Sequence, residues 1–89
     1  MYNESVEEIK IRKRDGSLEP WSFDKILISI TKVDVPLETA EEATKDIEGW
    51  VKENAENGVM SSTQVRDKVI KTLTELDPIA ADHYIAYKK

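Results

Sequence analysis

Glu7-Glu8-Ile9-Lys10-Ile11-Arg12-Lys13 alternates charged residues with isoleucine, a period of two that predicts a half-buried strand. Leu18 to Ser22 is its expected hairpin partner, kept short or at a sheet edge by Pro20, which has no N–H to give a ladder. At Phe23 the period changes. Ile26, Leu27, Ile30 and Val33 recur at helical spacing, with Asp24 expected as N-cap and Phe23 stapled onto Ile28. Asp34-Val35-Pro36 ends this helix, and a second opens near Pro36 to Thr39, with Thr39 and Glu42 placed for a capping box. Its apolar face is Ala40, Ala43, Ile47, Trp50 and Val51, and it is expected to stop before Asn57-Gly58. Val59-Met60 is long enough only to add a strand beside the hairpin. Ser61 and Gln64 then make a second capping-box pair, opening a helix with Val65, Val69, Leu73 and Leu76 in its stripe and Ile70 beside them. Asp77-Pro78 is a cap followed by proline at the first helical position, starting a short last helix that packs through Ile79, Ala80, Tyr84 and Tyr87. The predicted order is β-β-α-α-β-α-α: an α+β domain in which a small three-stranded sheet, a β-hairpin plus one short strand, caps a four-helix bundle. Residues 1–6 read as a flexible tail and 7–89 as one domain.

Composition narrows the classes. Eighty-nine residues leave no room for a second hydrophobic core. No apolar run approaches the roughly 20 residues that span a bilayer, and the acidic start Met-Tyr-Asn-Glu-Ser-Val-Glu-Glu is no signal peptide. The absence of cysteine removes disulfides, thiolate chemistry and cysteine-ligated zinc together, and a cytoplasmic location follows as the expectation. A net charge of −5 opposes broad attraction to nucleic acid or to anionic membrane.

Against that acidic background, four of the five residues from Lys10 to Arg14 are basic. The run continues through Asp15-Gly16-Ser17-Leu18-Glu19-Pro20-Trp21-Ser22-Phe23-Asp24-Lys25-Ile26. Asp15-Gly16 suits a two-residue type I′ turn, which would set Arg14 opposite Ser17, Lys13 opposite Leu18, Arg12 opposite Glu19 and Ile11 opposite Pro20. A three-residue loop would slip the pairing by one, and the sequence leaves both registers open. In either, Lys13, Arg14 and Lys25 can converge on one anion, aided by the free N–H groups at the start of the helix. Glu19 can accept from the exocyclic amine of a purine and Trp21 offers an aromatic surface. These residues point to a nucleotide polyphosphate site, against the plainer alternative of a solvated hairpin with mixed charges.

Elsewhere the chemistry is thin. Gly16, Gly49 and Gly58 are scattered and none precedes a lysine-serine pair. His83 is a lone histidine beside Asp82, Ser61 and Ser62 have no neighbouring base, and the acidic second helix reads as a solvated face. No catalytic or metal-binding set is recognisable, so the chain is not expected to be an enzyme.

The run Lys13-Arg14-Asp15-Gly16-x-x-Glu19-Pro20-Trp21-x-x-x-Lys25-Ile26 resembles the ATP-cone domain, the allosteric nucleotide-binding module of ribonucleotide reductases and of some related regulators. The resemblance runs from about Val6 through Gly58-Val59-Met60-Ser61-Ser62 to Leu76-Asp77-Pro78 and Tyr87. It implies a sheet on a helical bundle, and a site carried over position by position. Lys13 and Arg14 fall at the phosphate-binding basic pair, Glu19 and Ser22 where adenine is recognised, and Lys25 at the lysine that starts the first helix. Ile11, Trp21 and Ile26 match apolar positions around the base, and Ser62 and Arg66 fall where phosphates are also contacted. Ser22 stands where Asp or Asn is more usual, and some members continue to a further phosphate-binding lysine beyond the position of Lys89.

What the resemblance implies is a regulatory domain whose ligand is ATP or dATP, with or without Mg²⁺. With neither a reductase barrel nor a cysteine-rich zinc ribbon in the sequence, it looks like an ATP-cone standing alone. It would signal to an unidentified protein partner or through self-association. A protein-interaction adaptor that kept the fold and lost the nucleotide is the alternative. Nucleic-acid binding through Lys10 to Arg14 is disfavoured by the net charge, and membrane binding is not expected.

Overall fold

The computed structural model describes residues 9–87, with the side chain of Tyr87 excepted. The expected tail and the start of the first strand at Glu7 and Glu8 lie outside the described residues. The order of elements is β1 (Lys10–Arg12), β2 (Leu18–Pro20), α1 (Phe23–Thr31), α2 (Leu37–Asn54), β3 (Val59–Ser61), α3 (Ser62–Leu76) and α4 (Pro78–Tyr87). This is the predicted α+β order, with strands in the sheet arranged β2-β1-β3. β1 is central, antiparallel to β2 and parallel to β3, the parallel pairing being made possible by the α1–α2 excursion between them.

The hairpin register is not that of the two-residue turn. Lys10 pairs with Pro20, Ile11 with Glu19 and Arg12 with Leu18. Gly16 N–H donates to Lys13 O at 2.9 Å and Lys13 N–H to Ser17 O at 2.8 Å, so three residues form the loop, closed by Gly16 at φ +90°. This is a type I turn followed by a left-handed residue, in which Gly bears the positive φ and Asp15 does not. Asp15 instead braces the turn through its side chain, whose Oδ1 accepts from the Ser17 N–H at 2.9 Å and the Ser17 hydroxyl at 2.7 Å. Those bonds hold its carboxyl below the ordinary value. The paired positive φ values of a type I′ turn occur at Asn57 (55°) and Gly58 (76°), where Glu56 and Val59 exchange two backbone bonds. α2 ends at Asn54, before Asn57-Gly58 as expected, and those two residues turn the chain into β3.

Two helix starts also differ from expectation. Ser22, not Asp24, caps α1, its Oγ accepting from Lys25 N–H at 3.2 Å. A staple across this cap would join Trp21 to Ile26, both half-buried against the core, while Ile28 is 55 % exposed. α2 starts at Leu37 behind Pro36 with no side-chain cap, so Thr39 and Glu42 form no capping box. The reciprocal Ser61–Gln64 box on α3 is present as predicted. Asp77 Oδ1 accepts from the N–H groups of Ile79 and Ala80, with Pro78 at the first position of α4.

The core lies between the helices and under the sheet. Ile30, Ala40, Ile47, Val51, Val69 and Leu73 have no exposed surface, and Ile11 and Met60 press onto them from the sheet. Trp50 is only half-buried at the edge of the core, with Lys68 Nζ 5.7 Å from its ring centre. Leu76 and Ile79, expected inside, are 49 % and 68 % exposed; Ala81 takes the inward position on α4 with Ala80 and Tyr84. Thr44 and Thr72 are buried in the stripes of α2 and α3. Thr44 Oγ1 donates to Ala40 O at 2.7 Å, whereas Thr72 Oγ1 has no partner among the described residues.

A buried hydroxyl without a partner carries a desolvation cost of about 1–3 kcal/mol. Thr72→Val keeps the β-branched shape and is close to neutral in helix propensity. It should raise stability by about 1 kcal/mol, moving Tm up by roughly 4–8 °C for a domain of this size. Thermal unfolding followed by circular dichroism checks this, and a fall in Tm would show that the hydroxyl does find a partner.

Candidate functional site

The hairpin slip matters because side chains alternate faces. With Ile11 opposite Glu19, the glutamate shares the helix-facing side of the sheet with Ile11, and Arg12 and Leu18 go to the outer side. The two-residue register would have put Glu19 beside Arg12, away from the core. Trp21, two residues on, follows Glu19 to the inner side, its backbone N–H held by Ile9 O at 2.9 Å.

Between this face and the starts of α1 and α3 lies a cleft of about 450 Å³. That is within the roughly 300–1,000 Å³ of small-molecule sites. Ile11, Arg14, Glu19, Trp21, Ser22, Lys25, Ile26, Ser62 and Arg66 all line it. Lys13 alone of the sequence-predicted residues is outside the lining, at the rim with its Nζ 4.0 Å from Glu19 Oε1. Pro20, Ile28, Ser29, Lys32, Thr63, Val65 and Tyr84 complete the walls. The exposure of Ile28 has its reason here, since that side chain faces the cleft and not a staple partner.

The electrostatics are paired rather than uniformly positive. Glu19 Oε1 accepts from Lys25 Nζ at 3.2 Å, so the carboxylate sits between two lysines. Ser22 Oγ serves the α1 cap as acceptor, which leaves its hydroxyl hydrogen able to donate into the cleft. Ser62 and Thr63 bring the first turn of α3 to the opposite wall, so the N-termini of two helices border the same space. Both positive dipole ends favour an anion there.

Tyr84 closes the cleft from α4. It is 3 % exposed, and burial pushes its phenol above the ordinary value, against the lowering influence of the nearby Ser29 hydroxyl and Arg66. At neutral pH it is an uncharged hydroxyl in a cleft that Ser29 of α1 and Arg66 of α3 also line. The sequence placed Tyr84 in the packing but not at the cleft; nothing in a short helix's period tells a core face from a cavity wall. Glu48 was missed as well. Its Oε2 accepts the Trp21 indole N–H at 2.8 Å from α2, 27 positions away in the chain.

A second concavity, formed by Glu38, Thr39, Glu41, Glu42 and Lys45 at the start of α2, is acidic and shallow. Among the described residues no three His, Asp or Glu side chains are grouped to hold a metal ion, and no helix is long and apolar enough to cross a membrane. His83 is exposed on α4.

A small mixed sheet laid over four helices, with a cleft between its hairpin and two helix N-termini, defines a compact α+β binding domain. Residues 9–89 match the family model of the ATP cone domain, and the chain belongs to that family. No curated protein matches it. Membership makes it, in general terms, a nucleotide-binding regulatory domain rather than a catalytic one.

Proposed function

We propose that this domain binds ATP or dATP in the hairpin–helix cleft and passes its occupancy to a protein partner or to a second copy of itself. The observation that carries the reading is convergence: Glu19 and Trp21, suited to an adenine ring, share one cavity with Arg14, Lys25 and Arg66, suited to phosphates. Lys13 reaches the same carboxylate from the rim. Binding proceeds without turnover. Glu19 is the sole carboxylate among the described residues lining the cleft and it is held by Lys25, which leaves no base to activate a water and no acid pair to seat Mg²⁺. A metal ion arriving with the nucleotide would be carried by its phosphates.

A calorimetric titration with ATP, dATP, ADP and AMP is expected to show affinity rising with phosphate number, and ATP incubated with the domain to release only traces of inorganic phosphate. Light scattering with and without ATP, for the domain alone and mixed with a candidate partner, is expected to register a change in assembly, because a switch requires a ligand that binds two states unequally. Phosphate release that disappears in a Lys13 variant would overturn the regulatory reading. Absence of binding to all four nucleotides would leave an adaptor that retains only the fold.

A further inference from the structure

We propose that Glu48, on α2 and outside the cleft, is a positioning residue that fixes the Trp21 indole as the wall against which the ring of a nucleotide seats. The inference rests on reading the cleft as a nucleotide site. Trp21 sits between β2 and the cap of α1, with its backbone tied to Ile9 and its ring both packed against the core and lining the cleft. The backbone tie leaves the two side-chain torsions to be set. Core packing restricts them, and the indole's single polar atom supplies the remaining constraint, since Nε1 is a donor only.

That donor meets Glu48 Oε2 at 2.8 Å in a partly buried setting, a charge-assisted bond between elements far apart in sequence. The other carboxylate oxygen lies 4.0 Å from Lys52 Nζ one turn along α2, which keeps the glutamate aligned on its helix. Glu48 does not line the cleft, so its influence on a ligand passes through Trp21. A wall held in place before the ligand arrives costs less ordering on binding than a ring free to rotate.

The test compares ATP with tripolyphosphate, which has phosphates but no ring. Calorimetry is run on the wild type, Glu48→Leu, Glu48→Gln and Lys25→Ala, with the Trp21 indole N–H resonance followed by NMR and assigned by its loss in Trp21→Phe. Glu48→Leu is expected to weaken ATP about two- to tenfold, the scale of an aromatic pairing, with tripolyphosphate unchanged and the resonance displaced. Glu48→Gln, whose amide oxygen still accepts, should restore both ATP affinity and resonance. If the leucine variant does not fold, Glu48→Ala removes the acceptor without adding bulk and takes its place. ATP affinity that is unchanged without the acceptor, yet falls in Lys25→Ala, overturns the role of Glu48 and leaves the site standing. Equal losses for ATP and tripolyphosphate also overturn that role. ATP binding indifferent to Lys25→Ala overturns the site and this inference with it.

Discussion

Lys25→Ala is expected to weaken ATP binding roughly ten- to hundredfold. The lysine stands in the first turn of α1 with its ammonium reaching the cleft, and a charge-assisted bond from it to a phosphate contributes roughly 1.5–3 kcal/mol. At about 1.4 kcal/mol per decade that is one to two orders of magnitude. The structure adds a second consequence. In the free domain Lys25 neutralises Glu19 at 3.2 Å, and without it the carboxylate keeps, among the described residues, only Lys13, at 4.0 Å. An uncompensated negative charge beside the phosphates acts in the same direction as the lost bond. Lys13→Ala should follow the same trend from the rim. Lys71→Ala, exposed on α3 and outside the cleft, should change affinity little, its field being screened by salt. The measurement is a fluorescence or calorimetric titration of each variant after circular dichroism has shown it folded. Affinities equal across wild type, Lys13→Ala and Lys25→Ala would place the nucleotide somewhere other than this cleft.

Ile47→Ala should cost about 2–5 kcal/mol, the range for truncating a fully buried isoleucine and leaving a cavity. Ile47 has no exposed surface and lies in the middle of the inward face of α2, between Ala43 and Val51. A domain of 89 residues has a total stability of roughly 4–13 kcal/mol, taken at about 0.05–0.15 kcal/mol per residue. The substitution therefore removes a large share of it and brings the urea midpoint sharply down. Ile79→Ala, at a residue the helical pattern also nominated for the core but which is 68 % exposed, should shift the midpoint little. Urea unfolding of the two variants separates the observed core from the one the pattern alone suggests; equal shifts would contradict an α4 that packs through Ala80, Ala81 and Tyr84 with Ile79 outside.

The elements and their order were legible in the sequence because they depend on near neighbours. The alternation around Ile9 and Ile11, the helical spacing of Val65, Val69 and Leu73, the Ser61–Gln64 box and the Asp77-Pro78 start are each set within a few residues, and each is present. The fourteen-residue run also carried the family, and most of the residues it nominated meet in one cleft. Local chemistry left the hairpin register open and pointed to the wrong residue at the α1 cap, each where two signals were equally good. Asp15-Gly16 and Asn57-Gly58 both fit a tight turn, and Ser22 and Asp24 both fit a cap. The hairpin register adopted is the one that lets Ile11, Glu19 and Trp21 face the helices together, because a one-residue slip would have turned Glu19 to the outer side. Tertiary packing alone decided the rest: that Tyr84 closes the cleft, and that Glu48 holds Trp21 across 27 positions. Those contacts join side chains brought close only by the stacking of helices under the sheet, and no periodicity along the chain records which of two polar residues ends up within hydrogen-bonding reach of the other.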